Sequence, residues 1–113
     1  MKFIKKGEVG LQRVQADRDG VPAKGTFKQV LIEGPNFDLR VFTVKPDGRT
    51  PQHRHSWEHE VYVLSGNGKA VGAEEFDISE GDAVLVPPGE PHFFANAGKQ
   101  DLRFICVVPK EGG

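Results

Sequence analysis

Cysteine, tryptophan, tyrosine and methionine each occur once in these 113 residues, and histidine only four times. A lone cysteine, Cys106, excludes an internal disulfide and points to a reducing compartment, so the cytoplasm is the expected location. Neither charge sign is in excess: 15 Lys and Arg stand against 16 Asp and Glu, a net charge of −1. Without a basic stripe, nucleic acid is not an expected partner. No apolar run approaches the roughly 20 residues of a membrane span, and the opening MKFIKKGEVG lacks the apolar core of a signal peptide. No membrane association is expected. Amphipathic helical periodicity is also missing; no segment holds it for three turns.

What is present has a period of two. Segments 26–32 (TFKQVLI), 37–44 (FDLRVFTV), 60–65 (EVYVLS), 83–87 (AVLVP) and 102–108 (LRFICVV) are short, β-branched and aromatic, and read as strands. Turn signals separate them: DRDG at 17–20, EGPN at 33–36, KPDG at 45–48, SGNG at 65–68, SEGD at 79–82 and PPGEP at 87–91. Residues 10–25 look loop-like, available to pair with a partner. The length fits one domain over residues 1–113, and many short strands with Gly- and Pro-rich turns imply an all-β sandwich or barrel.

All four histidines fall in two short stretches, His53, His55 and His59 in PQHRHSWEHEVYVLSG and His92 in GDAVLVPPGEPHFFAN. Neutral imidazoles suit first-row divalent metals, and such clustering argues for one metal site. Alternation along a strand puts His53 and His55 on one face and Arg54 on the other. His59 opens the next strand on the face of Val61 and Val63, with Glu60 and Tyr62 turned away, and His92 shares a face with Phe94 and Asn96. A helical His55/His59 pair is disfavoured, because the Glu is misplaced for H-E-x-x-H and EVYVLSG is strand-like.

The spacing resembles the two motifs of the cupin family, G-x5-H-x-H-x3,4-E-x6-G and G-x5-P-x-G-x2-H-x3-N. The second matches throughout, at Gly81, Pro87, Gly89, His92 and Asn96. The first departs twice: Asp47 stands where the leading Gly would be, with Gly48 one place later, and His59 stands where the family usually has Glu. Within the family the chain resembles the small single-domain cupins of thermophilic bacteria that bind manganese through four histidines, through WEHE at 57–60, NFDLRVFTV at 36–44 and VVPKEGG at 107–113. The resemblance implies an antiparallel jelly-roll β-barrel, a homodimer, and a metal held by His53, His55, His59 and His92. Manganese comes first and iron next; zinc, nickel and copper also accept imidazole.

Four neutral ligands leave a divalent ion its full +2 charge, where three histidines and a carboxylate leave +1, so the site should attract an anionic ligand. Two open positions on a six-coordinate ion suit a metal-dependent oxidoreductase of dioxygenase or oxidase type, acting on a small organic substrate. The alternative is a non-catalytic binding module whose metal orders the barrel or anchors an anion; no DNA-binding segment supports a transcription factor. Phe94, Phe104, Cys106 and Val108 are the expected pocket lining, since Arg103 marks the outward face. Arg40 and Cys106 are the candidate catalytic groups. Arg40 either turns inward to grip a substrate carboxylate or lies on a solvated face beside Asp38, and Cys106 is either a small hydrophobe or a redox group or ligand. Gly66 and Gly81 are expected at turns of positive φ, and Pro87, Pro88, Gly89 and Pro91 in the approach to His92.

Overall fold

The computed structural model describes residues 1–14 and 22–110. The DRDG turn at 17–20 and the last three residues of VVPKEGG lie outside these. Among these residues nine strands form one curled antiparallel sheet: β1 Gln12–Arg13, β2 Lys24–Glu33, β3 Phe37–Arg49, β4 His59–Ser65, β5 Asn67–Val71, β6 Glu75–Ser79, β7 Ala83–Val86, β8 Phe93–Asn96 and β9 Leu102–Pro109. The strand order is β6-β5-β8-β3-β9-β4-β7, with β2 on β3 and β1 on β2, which is the jelly-roll barrel expected from the sequence. Among the described residues, no helix is long and apolar enough to cross a membrane.

Alternation builds the core. On β9 Leu102, Phe104, Cys106 and Val108 are buried while Arg103 is exposed, and on β4 Val61 and Val63 are buried while Glu60 and Tyr62 are exposed. These meet Val44 of β3, Ala70, Ile78, Val86 and Phe94 in one apolar cluster. Each fully buried Val, Leu or Phe contributes about 1.5–3 kcal/mol. The ambiguous faces of β3 resolve with Phe42 and Val44 turned toward this cluster. Val41 and Thr43 on the opposite face are buried too, Val41 beside Val9 and Ile4 of the N-terminal segment.

Four sequence expectations need correction. KPDG at 45–48 is not a turn between strands: β3 runs through it to Arg49. The β2–β3 register shifts there, from Lys24↔Arg49 to Thr26↔Val44, making a bulge in which Asp47 takes φ 66°. A Cβ on Gly48 would sit 2.6 Å from the Lys24 carbonyl oxygen, so close backbone approach explains the glycine at this position. Second, 67–71 and 75–79 are strands β5 and β6; their Gly and charged residues hid the pattern, and cross-strand pairing overrides that weak local preference. Third, residues 10–25 are not all loop, because Gln12 and Arg13 pair with Lys28 and Phe27 and Lys24 begins β2. Fourth, His53 and His55 do not sit on a regular strand; His53 forms an isolated bridge with His92, and His55 lies beyond it.

Candidate metal centre

A ladder of backbone bonds brings the two motifs together. Arg49 pairs with Ala95, the Thr50 amide donates to the Phe94 carbonyl at 2.8 Å, and the Phe94 amide donates to Thr50 Oγ1 at 2.8 Å. Farther along, His53 and His92 each donate their amide to the other's carbonyl at 2.9 Å. The Gly89 amide then donates to the His55 carbonyl at 2.6 Å, tying the Pro-rich loop to the H-x-H segment. Gly66, Gly81 and Gly89 have φ of 90°, 91° and 80°, the conformation glycine adopts without strain. Asn96, the last motif position, is a clamp: Nδ2 donates to the carbonyls of Val44 and Gln100, and Oδ1 accepts from Gly98.

This scaffold gathers the imidazoles. Ring centroids are 4.7 Å apart for His55 and His59, 5.5 Å for His55 and His92, and 5.4 Å for His59 and His92. One ligand atom from each of these three lies within 4.8 Å of the others. Three nitrogens sharing one ion at bonds of about 2.1 Å lie roughly 3.0–3.6 Å apart, so the three histidines can hold a divalent metal once their rings draw together. His53 adjoins the trio, its ring 5.0 Å from His55 and 6.3 Å from His92.

The tautomers leave ring nitrogens available for coordination. His92 Nδ1 lies 2.9 Å from the Glu90 carbonyl oxygen; a carbonyl only accepts, so the proton is on Nδ1 and Nε2 keeps its lone pair. His59 Nδ1 is 3.0 Å from Cys106 Sγ, and its Nε2 is buried with no hydrogen-bond partner among the described residues, which suits it to a ligand role. Burial, then the imidazoles of His55, His92 and His53 and the Arg40 guanidinium, holds the His59 pKa down at about 3, so the ring is neutral at physiological pH. Burial likewise pushes the Cys106 thiol up to about 12, with Arg40 opposing and Glu60 adding, which keeps it protonated and a poor nucleophile.

The histidines open into a cavity of about 140 Å³. Each residue anticipated for the pocket lines it: Arg40, Phe94, Phe104, Cys106 and Val108, together with His53, His55, His59 and His92. Arg40 faces inward on β3 with Phe42, and Asp38 on the same face is 3.7 Å from its Nη2. Trp57 also lines the cavity, stacked on His55 at 4.6 Å and 13°. Phe42, Thr50, Val61 and Lys28 were missed as lining residues. Phe42 was legible once the β3 face was known; Lys28 carried no signal, because only its register opposite Phe42 places it. Glu58 and Glu60 are exposed, and no carboxylate lines the cavity among the described residues.

Known proteins share this fold. A family model described as the cupin domain matches residues 40–108. The chain is similar to the polyketide cyclase RemF from Streptomyces resistomycificus, with 35% identity and a TM-score of 0.82 over 96% of this chain and 79% of that one. It is 32% identical to 1-methylthio-D-xylulose 5-phosphate methylsulfurylase of Rhodospirillum rubrum over 84% of this chain, spanning 63% of that protein's length. It is 26% identical to an oxalate-binding protein of Thermotoga maritima over 93% of this chain and 91% of that protein. On the family match, together with the barrel and its histidines, the chain belongs to the cupin family.

Proposed function

We propose that the chain is a metal-dependent cupin oxidoreductase of dioxygenase or oxidase type, in which His53, His55, His59 and His92 hold one manganese or iron ion. The observation that carries this reading is the convergence of all four imidazoles of the sequence on one small, mostly apolar cavity, with His59 Nε2 buried and without a hydrogen-bond partner among the described residues. When bound, such an ion supplies Lewis acidity and one-electron chemistry toward oxygen. The protein's own residues orient and exclude. The Glu90 carbonyl fixes the His92 tautomer, Trp57 backs His55, and Cys106 stands behind His59, where its sulfur would accept a hydrogen bond from Nδ1–H and leave Nε2 for a metal. Phe42, Phe94 and Phe104 keep water from the reacting end of a small organic substrate.

A cavity of about 140 Å³ takes a small acid or a single ring. Relatives named for oxalate binding and for polyketide cyclisation are consistent with small organic acids or larger molecules that enter by one end. The buried free thiol supports a cytoplasmic location, and the exposed Phe37, Tyr62 and Leu85 on the barrel's outside support a homodimer.

A second reading is a non-catalytic module that binds a small anion through its metal. It is favoured by the absence of a carboxylate base from the described cavity lining. Metal content of the protein as purified, followed by oxygen uptake in the presence of small carboxylic acids and phenols, separates the two. Stoichiometric manganese or iron with substrate-dependent oxygen uptake supports the oxidoreductase; bound metal with ligand binding and no uptake supports the module.

A further inference from the structure

Three buried side-chain nitrogens lack a hydrogen-bond partner among the described residues: Arg40 Nε, Trp57 Nε1 and His59 Nε2. All three residues line the same cavity. Native folds leave few buried polar atoms unpaired, and three around one cavity point to what the cavity binds. His59 Nε2 carries a lone pair and is explained by a metal. The other two are N–H groups, which cannot bind a cation and require an acceptor.

The charge balance agrees. Asp38, the carboxylate beside Arg40, is 3.7 Å away, longer than the roughly 2.7–2.9 Å of a charge-assisted hydrogen bond. Its other oxygen is engaged at 2.9 Å by Lys110 Nζ. Arg40 therefore keeps much of its positive charge at a wall shared with Phe42 and Phe104. A guanidinium is planar and never loses its proton at accessible pH, and a carboxylate matches its geometry. The free volume is close to the roughly 150 Å³ that holds a benzene ring.

We propose that Arg40 and Trp57 bind the carboxylate of a small ligand whose remainder is one apolar ring or a short chain, making Arg40 the residue that selects acids over their neutral analogues. The inference rests on the metal reading only for the ligand's second anchor; the two donors are in place without an ion.

The test is calorimetric titration of benzoate and of benzamide, its neutral analogue, into metal-free and manganese-loaded protein. Wild type, Arg40→Gln, Arg40→Lys and Trp57→Phe are compared, with thermal melting to establish that each folds. Benzoate is expected to bind wild type in both states and more tightly with manganese. Arg40→Gln should weaken it by about 10- to 100-fold, the loss of a charged hydrogen bond. Arg40→Lys, which keeps charge without the planar fork, should recover part of this, and Trp57→Phe should cost about 2- to 10-fold. Benzamide affinity should not respond to Arg40→Gln. Equal benzoate affinity in wild type and Arg40→Gln, or no benzoate binding to wild type in either state, overturns the inference. Failure to take up manganese overturns the metal reading instead, and the metal-free titrations still report on Arg40.

Discussion

His53 and His92 are joined by a reciprocal pair of backbone hydrogen bonds, amide to carbonyl at 2.9 Å in each direction. The bridge is isolated from any regular strand, yet it links the two motifs at the residues that carry their imidazoles. Because the main chain forms this link, holding the two motifs together does not depend on the imidazoles.

Replacing His92 by alanine should therefore leave the barrel folded while emptying the site. The main-chain pair survives and only the ring and its bond to the Glu90 carbonyl are lost, so destabilisation of about 1–3 kcal/mol is expected. Metal affinity should fall by about 100-fold or more, the upper end of what even outer-shell losses cost. Chemical denaturation and metal titration of His92→Ala measure the two effects separately; equal metal affinity in the variant would remove His92 from the site.

Changing His59 to glutamate should keep a metal but lower the charge of the loaded site from +2 to +1. Manganese-loaded His59→Glu is expected to bind anionic ligands such as azide more weakly than wild type. Titration followed by electron paramagnetic resonance tests this, and unchanged azide affinity would contradict the charge argument.

The pH dependence follows from His59. Its pKa is held at about 3 in the folded chain against 6.5 unfolded, so the unfolded state binds the proton first. This ring's contribution to stability is complete above pH 6.5 and is lost progressively as pH falls from there toward 3. Metal-free protein should show a falling melting temperature over that window. Metal affinity should also fall below about pH 6, because ligating histidines must be neutral. An affinity that holds to pH 4.5 would argue against an all-histidine ligand set.

Gly66 occupies φ 90°, and a Cβ there would lie 2.5 Å from the Asp101 carbonyl oxygen. Gly66→Ala should destabilise by at least about 1–3 kcal/mol, seen as a lower denaturation midpoint with little change in slope.

Cys106, 3% exposed and with its thiol raised to about 12, should react with thiol reagents far more slowly in the native protein than after unfolding. Rapid native labelling would mean that the cavity opens.

Much of the site was legible in the chain because strand periodicity converts sequence directly into faces. Burial of Leu102, Phe104, Cys106 and Val108 follows from the exposed Arg103 between them, and the shared face of His59, Val61 and Val63 follows from Glu60 and Tyr62. The same logic failed where the backbone departs from a regular strand. The bulge at Asp47 and Gly48 looked like a turn, because a left-handed residue and a close-approach glycine look alike in one dimension.

Local chemistry thus determined the all-β class, the glycines that need left-handed backbone and the concentration of imidazoles in two short segments. Tertiary structure decided which face of β3 turns inward, since Phe37, Leu39 and Val41 compete with Phe42 and Val44 until the partner strands are present. It also placed Arg40, Trp57 and Lys28 around one cavity and left Arg40 Nε and Trp57 Nε1 without hydrogen-bond partners among the described residues. The reason is physical. Alternation is set by bonds between neighbours in the chain, whereas burial, pKa and unmet hydrogen bonds depend on groups that only the closed barrel brings together.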